Sequence, residues 1–187
     1  MVSLKFGPTA KIVLVIIIVA VLLFLAWIVL TYNSLVAKQV AVQAQWQQVE
    51  NVIQLKVDKI PQLINLTQLF MAFELGLLTN LTELQTRWQD AVGIPDQMNI
   101  SNLLSLTIAN WYATAATYPL SIESRRIVDS LFDEISGVEN RIVNERLRYN
   151  DRVQTYNTAI RTFPGNIVSG MFGFQAEPFF DPIPGGP

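Results

Sequence analysis

The sequence predicts an all-α protein: an N-terminal transmembrane helix that continues into an antiparallel bundle of long helices. Three observations predict it. An unbroken run of 19 apolar residues spans Ile12–Leu30. Beyond it, apolar residues recur three and four apart, the spacing of one helical face. Period-two runs, the mark of half-buried strands, are nearly absent outside the membrane segment.

The elements follow in order. Residues 1–11 form a short flank and residues 12–31 the membrane helix. Nineteen helical residues rise about 28 Å, close to a hydrocarbon core of about 30 Å. Trp27 and Tyr32 stand near the far end of the run, where amphipathic rings favour the interface. A cleaved signal peptide would have a shorter core and a small-residue cleavage site, which the following TYNSL does not offer. The helix is therefore read as retained.

Residues 32–163 form the bundle. Its first stripe is Val42, Trp46, Val49, Ile53, Ile60, Leu63, Phe70, Leu77, Leu81, Leu84 and Trp88. No Gly or Pro lies between residues 9 and 60, so the membrane helix should run on into this stripe as one rod of about 75 Å. A kink is expected near Pro61, because proline removes a donor and crowds the preceding turn. The first clear break is Gly93-Ile94-Pro95-Asp96, read as a turn. Asn99 or Ser101 should then cap a helix with Leu103, Leu104, Leu106, Ile108, Trp111, Tyr112 and Ala115 on its apolar face. Tyr118-Pro119-Leu120 ends it. Ser121 and Ser124 are candidate caps for a long return helix over Ile122–Phe163, with Glu123 suiting its first turn. Its stripe runs from Val128, Leu131, Phe132 and Ile135 through Val138, Ile142, Tyr149 and Val153 to Tyr156, Ile160 and Phe163. Gly137 interrupts that helix and is expected to allow close helix approach. Residues 164–187 hold a short helix near Ile167–Phe174 and an apolar tail rich in Pro, Phe and Gly.

Composition narrows the function. The 187 residues are 51% hydrophobic and 15% charged, with mean hydropathy +0.33. Soluble domains carry about 25% charge. With no Cys and no His, zinc sites built from them, thiol nucleophiles, disulfides and Ser-His-Asp triads are excluded. A net charge of −2 leaves no basic surplus for nucleic acid. The bilayer is the first partner implied. No residue is assigned a catalytic, cofactor-binding or metal-binding role, and the chain is read as a non-enzyme. Removing residues 1–31 still leaves only 11 basic and 15 acidic residues. That surface suits self-association into a homo-oligomer, or a protein partner, better than exposure to water alone.

The polar candidates have structural readings. Asp58 near Pro61 is expected to satisfy a kinked backbone or to pair with an arginine of the return helix. Glu139, Arg141, Arg148 and Asp151 are expected to form a partly buried charge network that fixes helix register. Tyr149-Asn150 and Tyr156-Asn157 repeat at seven residues, which puts both asparagines on one stripe and both tyrosines on another. Pro164-Gly165-Asn166 reverses the chain. Phe172, Phe174, Phe179 and Phe180 would cover either the bundle of the same chain or a neighbouring subunit. Three N-x-S/T triplets, at Asn65, Asn80 and Asn99, are possible glycosylation sites. They agree with the flanking Lys5 and Lys11, which favour a cytoplasmic N-terminus and an extracytoplasmic bundle.

Together these pieces resemble one family. Tyr32-Asn33-Ser34-Leu35-Val36 follows the membrane helix. Asp58-Lys59-Ile60-Pro61-Gln62-Leu63-Ile64 is similar to a D-x-I-P-x-L pattern. Tyr118-Pro119 and Glu139-Asn140-Arg141-Ile142 come next. The most specific block is Arg148-Tyr149-Asn150-Asp151, Tyr156-Asn157-Thr158, Phe163-Pro164-Gly165-Asn166, Phe172-Gly173-Phe174 and Phe179-Phe180. In this order the chain resembles the LemA family from about Tyr32 to Asp181. The resemblance implies an all-α antiparallel bundle anchored in a cell membrane, relatives in magnetosome membranes, and no known reaction. Family usage places the bundle in the cytoplasm, opposite to the lysine flank. The segment after Pro61 lacks the charged, histidine-bearing stretch of many members.

Overall fold

The computed structural model describes residues 8–71 and 74–181. Six helices follow one another: α1 (Pro8–Val57), α2 (Ile60–Phe70), α3 (Leu75–Gln89), α4 (Ile94–Thr117), α5 (Ile122–Arg161) and α6 (Gly165–Phe172). The described residues contain no strand. The chain divides into two compact units, Met1–Val40 with Thr155–Glu177, and Ala41–Gln154 with Pro178–Pro187.

The second unit is a helical bundle made of the C-terminal part of α1, of α2, α3 and α4, and of most of α5. Partners along α1 and α5 run in opposite directions. Gln45 donates to Glu145, Lys56 to Glu139 and Lys59 to Glu134. α4 runs parallel to α1 and α2: Trp46 donates to Gln97, Lys56 to the Ser101 carbonyl and Trp111 to Thr67. α3 packs against both α2 and α4. The stripes meet inside, where Val42, Val49, Ile53, Ile60, Leu63, Leu81, Leu104 and Val128 are sealed from solvent. Each such side chain contributes about 1.5–3 kcal/mol by burial. The core tryptophans keep their ring N–H groups bonded, Trp88 to Gln54 and Trp111 to Thr67 at 2.8 and 2.7 Å.

Proline and glycine set some helix ends in this unit, and tertiary packing sets others. Pro61 cannot donate to the Val57 carbonyl, so the α1 ladder stops at Val57. Lys59 keeps a helical backbone across the interruption, and its carbonyl accepts from Gln62 and Leu63. A second interruption, between Phe70 and Leu75, corrects the expectation of one helix up to Gly93. No Gly or Pro marks it. Burial of Met71 and the bond from Tyr118 Oη to Glu74 Oε1 (2.8 Å) hold that connection instead. α4 also starts earlier than expected, at Ile94. Gly93 takes φ +80°, Pro95 supplies a helical φ, and Asp96 accepts the Val92 N–H. Asn99 and Ser101 therefore lie inside the helix rather than capping it. Ser121 Oγ accepts the Ser124 N–H and caps α5.

Gly137 differs from expectation too. A Cβ built there meets nothing within 4 Å, so no helix approaches it closely. Gly137→Ala should raise stability by about 0.5–1 kcal/mol, since alanine costs less backbone entropy in a helix. Denaturant unfolding in detergent checks this; a loss of stability would mean that the position is crowded.

The first unit holds the apolar run. Every residue from Lys11 to Ala26 is exposed, so none of the described residues covers it. This is the one helix among the described residues that is long and apolar enough to cross a membrane, with a mean hydropathy of 3.6 in its most apolar stretch. The end of α5, α6 and residues 174–177 complete the unit. The Phe163–Pro164 peptide is cis. Gly165 is buried, and a Cβ there would collide with the Ala159 carbonyl, with Leu35 in ordinary contact beside it. Gly165→Ala should therefore cost between about 1 and 3 kcal/mol, the range for an overpacked site. A melting temperature equal to the parent's would refute that close approach. Gly173 closes α6 at φ +75°, and its N–H and that of Phe174 both bond to the Ser169 carbonyl.

Candidate functional site

Two constructions stand out, a buried lysine and a set of clamps on the tail. Lys56 lies on the first stripe, three residues after Ile53 and four before Ile60. Its side chain is fully buried. The ammonium spends its three donors on Ser101 O (3.1 Å), Ser105 Oγ (2.8 Å) and Glu139 Oε2 (3.0 Å). Ser105 also donates to Glu139 Oε1. Burial pushes the lysine below its usual range, with the Glu139 carboxylate opposing that shift. With every proton engaged, this group locks α1, α4 and α5 in register.

The tail is held through its main chain. In the second unit the Asn150 amide donates to Phe180 O (3.0 Å) and accepts from Phe180 N (2.8 Å). Beside it, Tyr149 Oη donates to Pro178 O. Phe180 is buried against Trp46, which also meets the Tyr149 ring, and Arg146 lies over its face. The first unit repeats the device. The Asn157 amide pairs with Glu177 through both its O and N (2.8 and 2.9 Å), and Tyr156 Oη donates to Gln175 O. Burial, with Glu177 adding to it, raises the Tyr156 hydroxyl above its usual range. Each asparagine thus acts as a strand partner for one extended residue.

Asp58 is exposed and accepts from Gln54 of the preceding turn, and among the described residues no arginine of α5 pairs with it. The expected buried charge network is corrected: Arg141, Arg148 and Asp151 are exposed, and the ion pair is Glu145–Arg148 at 2.8 Å. They sit beside the Ile142–Tyr149 stripe rather than on it. The buried pair uses Glu139 with Lys56, which the sequence reading passed over. Pro61 is exposed in the first turn of α2, and Pro164 and Asn166 flank the buried Gly165. Phe174 is half-buried against Tyr32, while Phe172 and Phe179 stay about half exposed. Phe163, placed on the core stripe, is instead 75% exposed beyond the end of α5. Asn65, Asn80 and Asn99 are exposed but lie inside α2, α3 and α4 rather than in loops, and Thr67 and Ser101 of two triplets are buried. Lys5 lies outside the described residues.

Among the described residues no group of three or more acidic side chains could hold a metal ion. None of their buried side-chain nitrogens or oxygens lacks a hydrogen-bond partner.

Comparison with known proteins agrees with this architecture. Residues 45–184 match the model of the LemA family. Magnetosome proteins MamQ 1 and MamQ 2 of Paramagnetospirillum magneticum (strain ATCC 700264 / AMB-1) are each 24% identical over 206 residues. Each alignment covers 96% of this chain and 75% of the relative. An uncovered apolar helix ahead of a bundle, and a family match over most of the chain, make this a membrane-associated protein that belongs to the LemA family.

Proposed function

We propose that the protein is a non-enzymatic structural component of its membrane whose copies associate with one another, as a scaffold or a cell-surface assembly. One observation carries this reading. The α2–α3 and α4–α5 connections meet at one end of the bundle through the Tyr118–Glu74 hydrogen bond. That end presents Leu69, Leu75 and Ile122, which are 71%, 68% and 78% exposed. Large apolar residues gathered at one end of a lightly charged domain favour burial against protein. Anchoring confines every copy to one membrane, and tethering raises the effective concentration of this end. The relatives' description as magnetosome proteins agrees with a structural role at a membrane.

The chain has no cysteine, so single thiols report contacts cleanly. Leu75→Cys or Ile122→Cys, oxidised or bis-maleimide-treated in native membranes, should give dimers through those ends. A monomer under all conditions would refute self-association there. A single foreign adduct would instead show a tethered module for a different partner. The flanking lysines further suggest that the bundle faces away from the cytoplasm. An impermeant maleimide should then label Asp151→Cys in intact cells, and labelling only after permeabilisation would reverse that orientation.

A further inference from the structure

Among the described residues, the exposed side of α6 has no partner. Phe163, Ile167 and Met171 are 75%, 44% and 61% exposed, and Phe172 is 53% exposed. Ile167 and Met171, four apart, lie on one face of α6, and Phe163 stands in the turn that precedes the helix. The opposite side is closed by Gly165, Val168 and Ser169, with Ser169 Oγ bonded to Ile160 O at 2.8 Å. Between Thr162 and Ala176 there is no charged residue. A surface helix of a soluble domain shows the reverse pattern, with polar residues outward.

The surroundings of this face identify what covers it. Phe163 packs on Trp27, inside the last turn of the apolar run, with ring centroids 6.2 Å apart. Phe172 packs on Tyr32 at 4.8 Å, and Phe174 meets the same ring at 5.6 Å. The apolar face of α6 is therefore continuous with the uncovered flank of the membrane helix, over the stretch from Trp27 to Tyr32. Five helical residues span about 7.5 Å, comparable with the 5–10 Å to which interfacial helices bury. Trp and Tyr concentrate at this depth. The charges that bound these apolar stretches in sequence are Lys38 after the α1 run and Arg161 and Glu177 on either side of α6, and the two cations suit lipid phosphate.

We infer that α6 is an interfacial helix, with Phe163, Ile167, Met171 and Phe172 seated in the headgroup–acyl boundary of the bilayer that α1 crosses. The inference rests on α1 spanning the membrane and does not depend on self-association. It gives the first unit a second lipid contact, one that fixes the rotation of the membrane helix about its own axis where a lone span would turn freely. A second copy of the chain is the rival occupant. It is disfavoured because the face adjoins a surface already committed to lipid.

Spin labels at single cysteines test this in the full chain, reconstituted in phosphatidylcholine–phosphatidylglycerol vesicles. Positions are Ala20 (span), Ile167 and Met171 (α6) and Asp151 (exposed on α5). Collision with oxygen reports lipid and collision with a nickel chelate reports water. The oxygen-to-nickel ratio at Ile167→Cys and Met171→Cys should exceed that at Asp151→Cys several-fold and fall below that at Ala20→Cys. A ratio equal to that at Asp151 overturns the proposal while leaving the span intact. Poor access to both reagents would mean that protein covers the face, and also overturns it. An aqueous signal at Ala20 would overturn the span and α6 together. All four positions are exposed, so unchanged circular-dichroism melts are expected and confirm that the labelled chains are folded.

Discussion

Glu139→Ala should cost about 3 kcal/mol of bundle stability, more than any other single change to a charged residue. It leaves the Lys56 ammonium buried with only the Ser101 carbonyl and Ser105 hydroxyl as acceptors. Stripping one partner from a buried ion pair costs about 3–5 kcal/mol. The lower figure applies because the Glu139 side chain is 36% exposed, so water can enter where the carboxylate was. Lys56→Met should be much milder, since it removes the buried charge and leaves Glu139 in reach of water. Lys56→Met combined with Glu139→Ala should therefore be more stable than Glu139→Ala alone. Chemical denaturation in detergent measures all three. Equal losses for the two single variants would show that the carboxylate does not support the ammonium.

The same lysine predicts a pH dependence. Its folded pKa lies below the unfolded value of 10.5. Between those values the unfolded chain binds more protons than the folded one, so this group's contribution to stability improves as pH rises toward 10.5. The stability difference between the parent and Lys56→Met should move in the parent's favour over that alkaline window. A difference that is flat with pH would remove the burial penalty from the account.

Phe180→Ala should cost about 3–5 kcal/mol, the range for truncating a buried phenylalanine. The ring is 1% exposed, between Trp46 and the Arg146 guanidinium. Losing it also loosens the two backbone bonds to Asn150 and the bond from Asn102 to Asp181 O. Phe179, next in the chain, is 45% exposed, and Phe179→Ala should stay within about 0.5 kcal/mol. Thermal unfolding with limited proteolysis of the C-terminus separates them. Matching losses for the two, or an unchanged cleavage pattern in Phe180→Ala, would mean that Phe180 does not anchor the tail.

The helical stripes were legible because they obey a fixed period. Val42, Trp46, Val49, Ile53, Ile60 and Leu63 are all buried, as are Leu77, Leu81, Leu84 and Trp88. The break near Met71 was not legible, since its residues are ordinary helix formers and only packing decides it. Lys56 could have been found. It fills the seven-residue gap in the stripe between Ile53 and Ile60, where a charge must be buried. The Tyr-Asn repeat was visible as a spacing, but its purpose depends on where the extended tail lies, which no local pattern encodes. Phe163 was misplaced for a similar reason: periodicity continued past the end of α5, and lipid-facing and core-facing phenylalanines look alike in sequence.

The central claim is that copies of this protein associate in the plane of the membrane through the end bearing Leu69, Leu75 and Ile122. Energy transfer between donor- and acceptor-labelled full-length protein, followed as the vesicles are diluted with empty lipid, tests it most directly. Transfer should persist well above random mixing at low surface density, and should fall to random mixing in Leu75→Glu/Ile122→Glu. Transfer that tracks surface density alone in the parent would contradict the account.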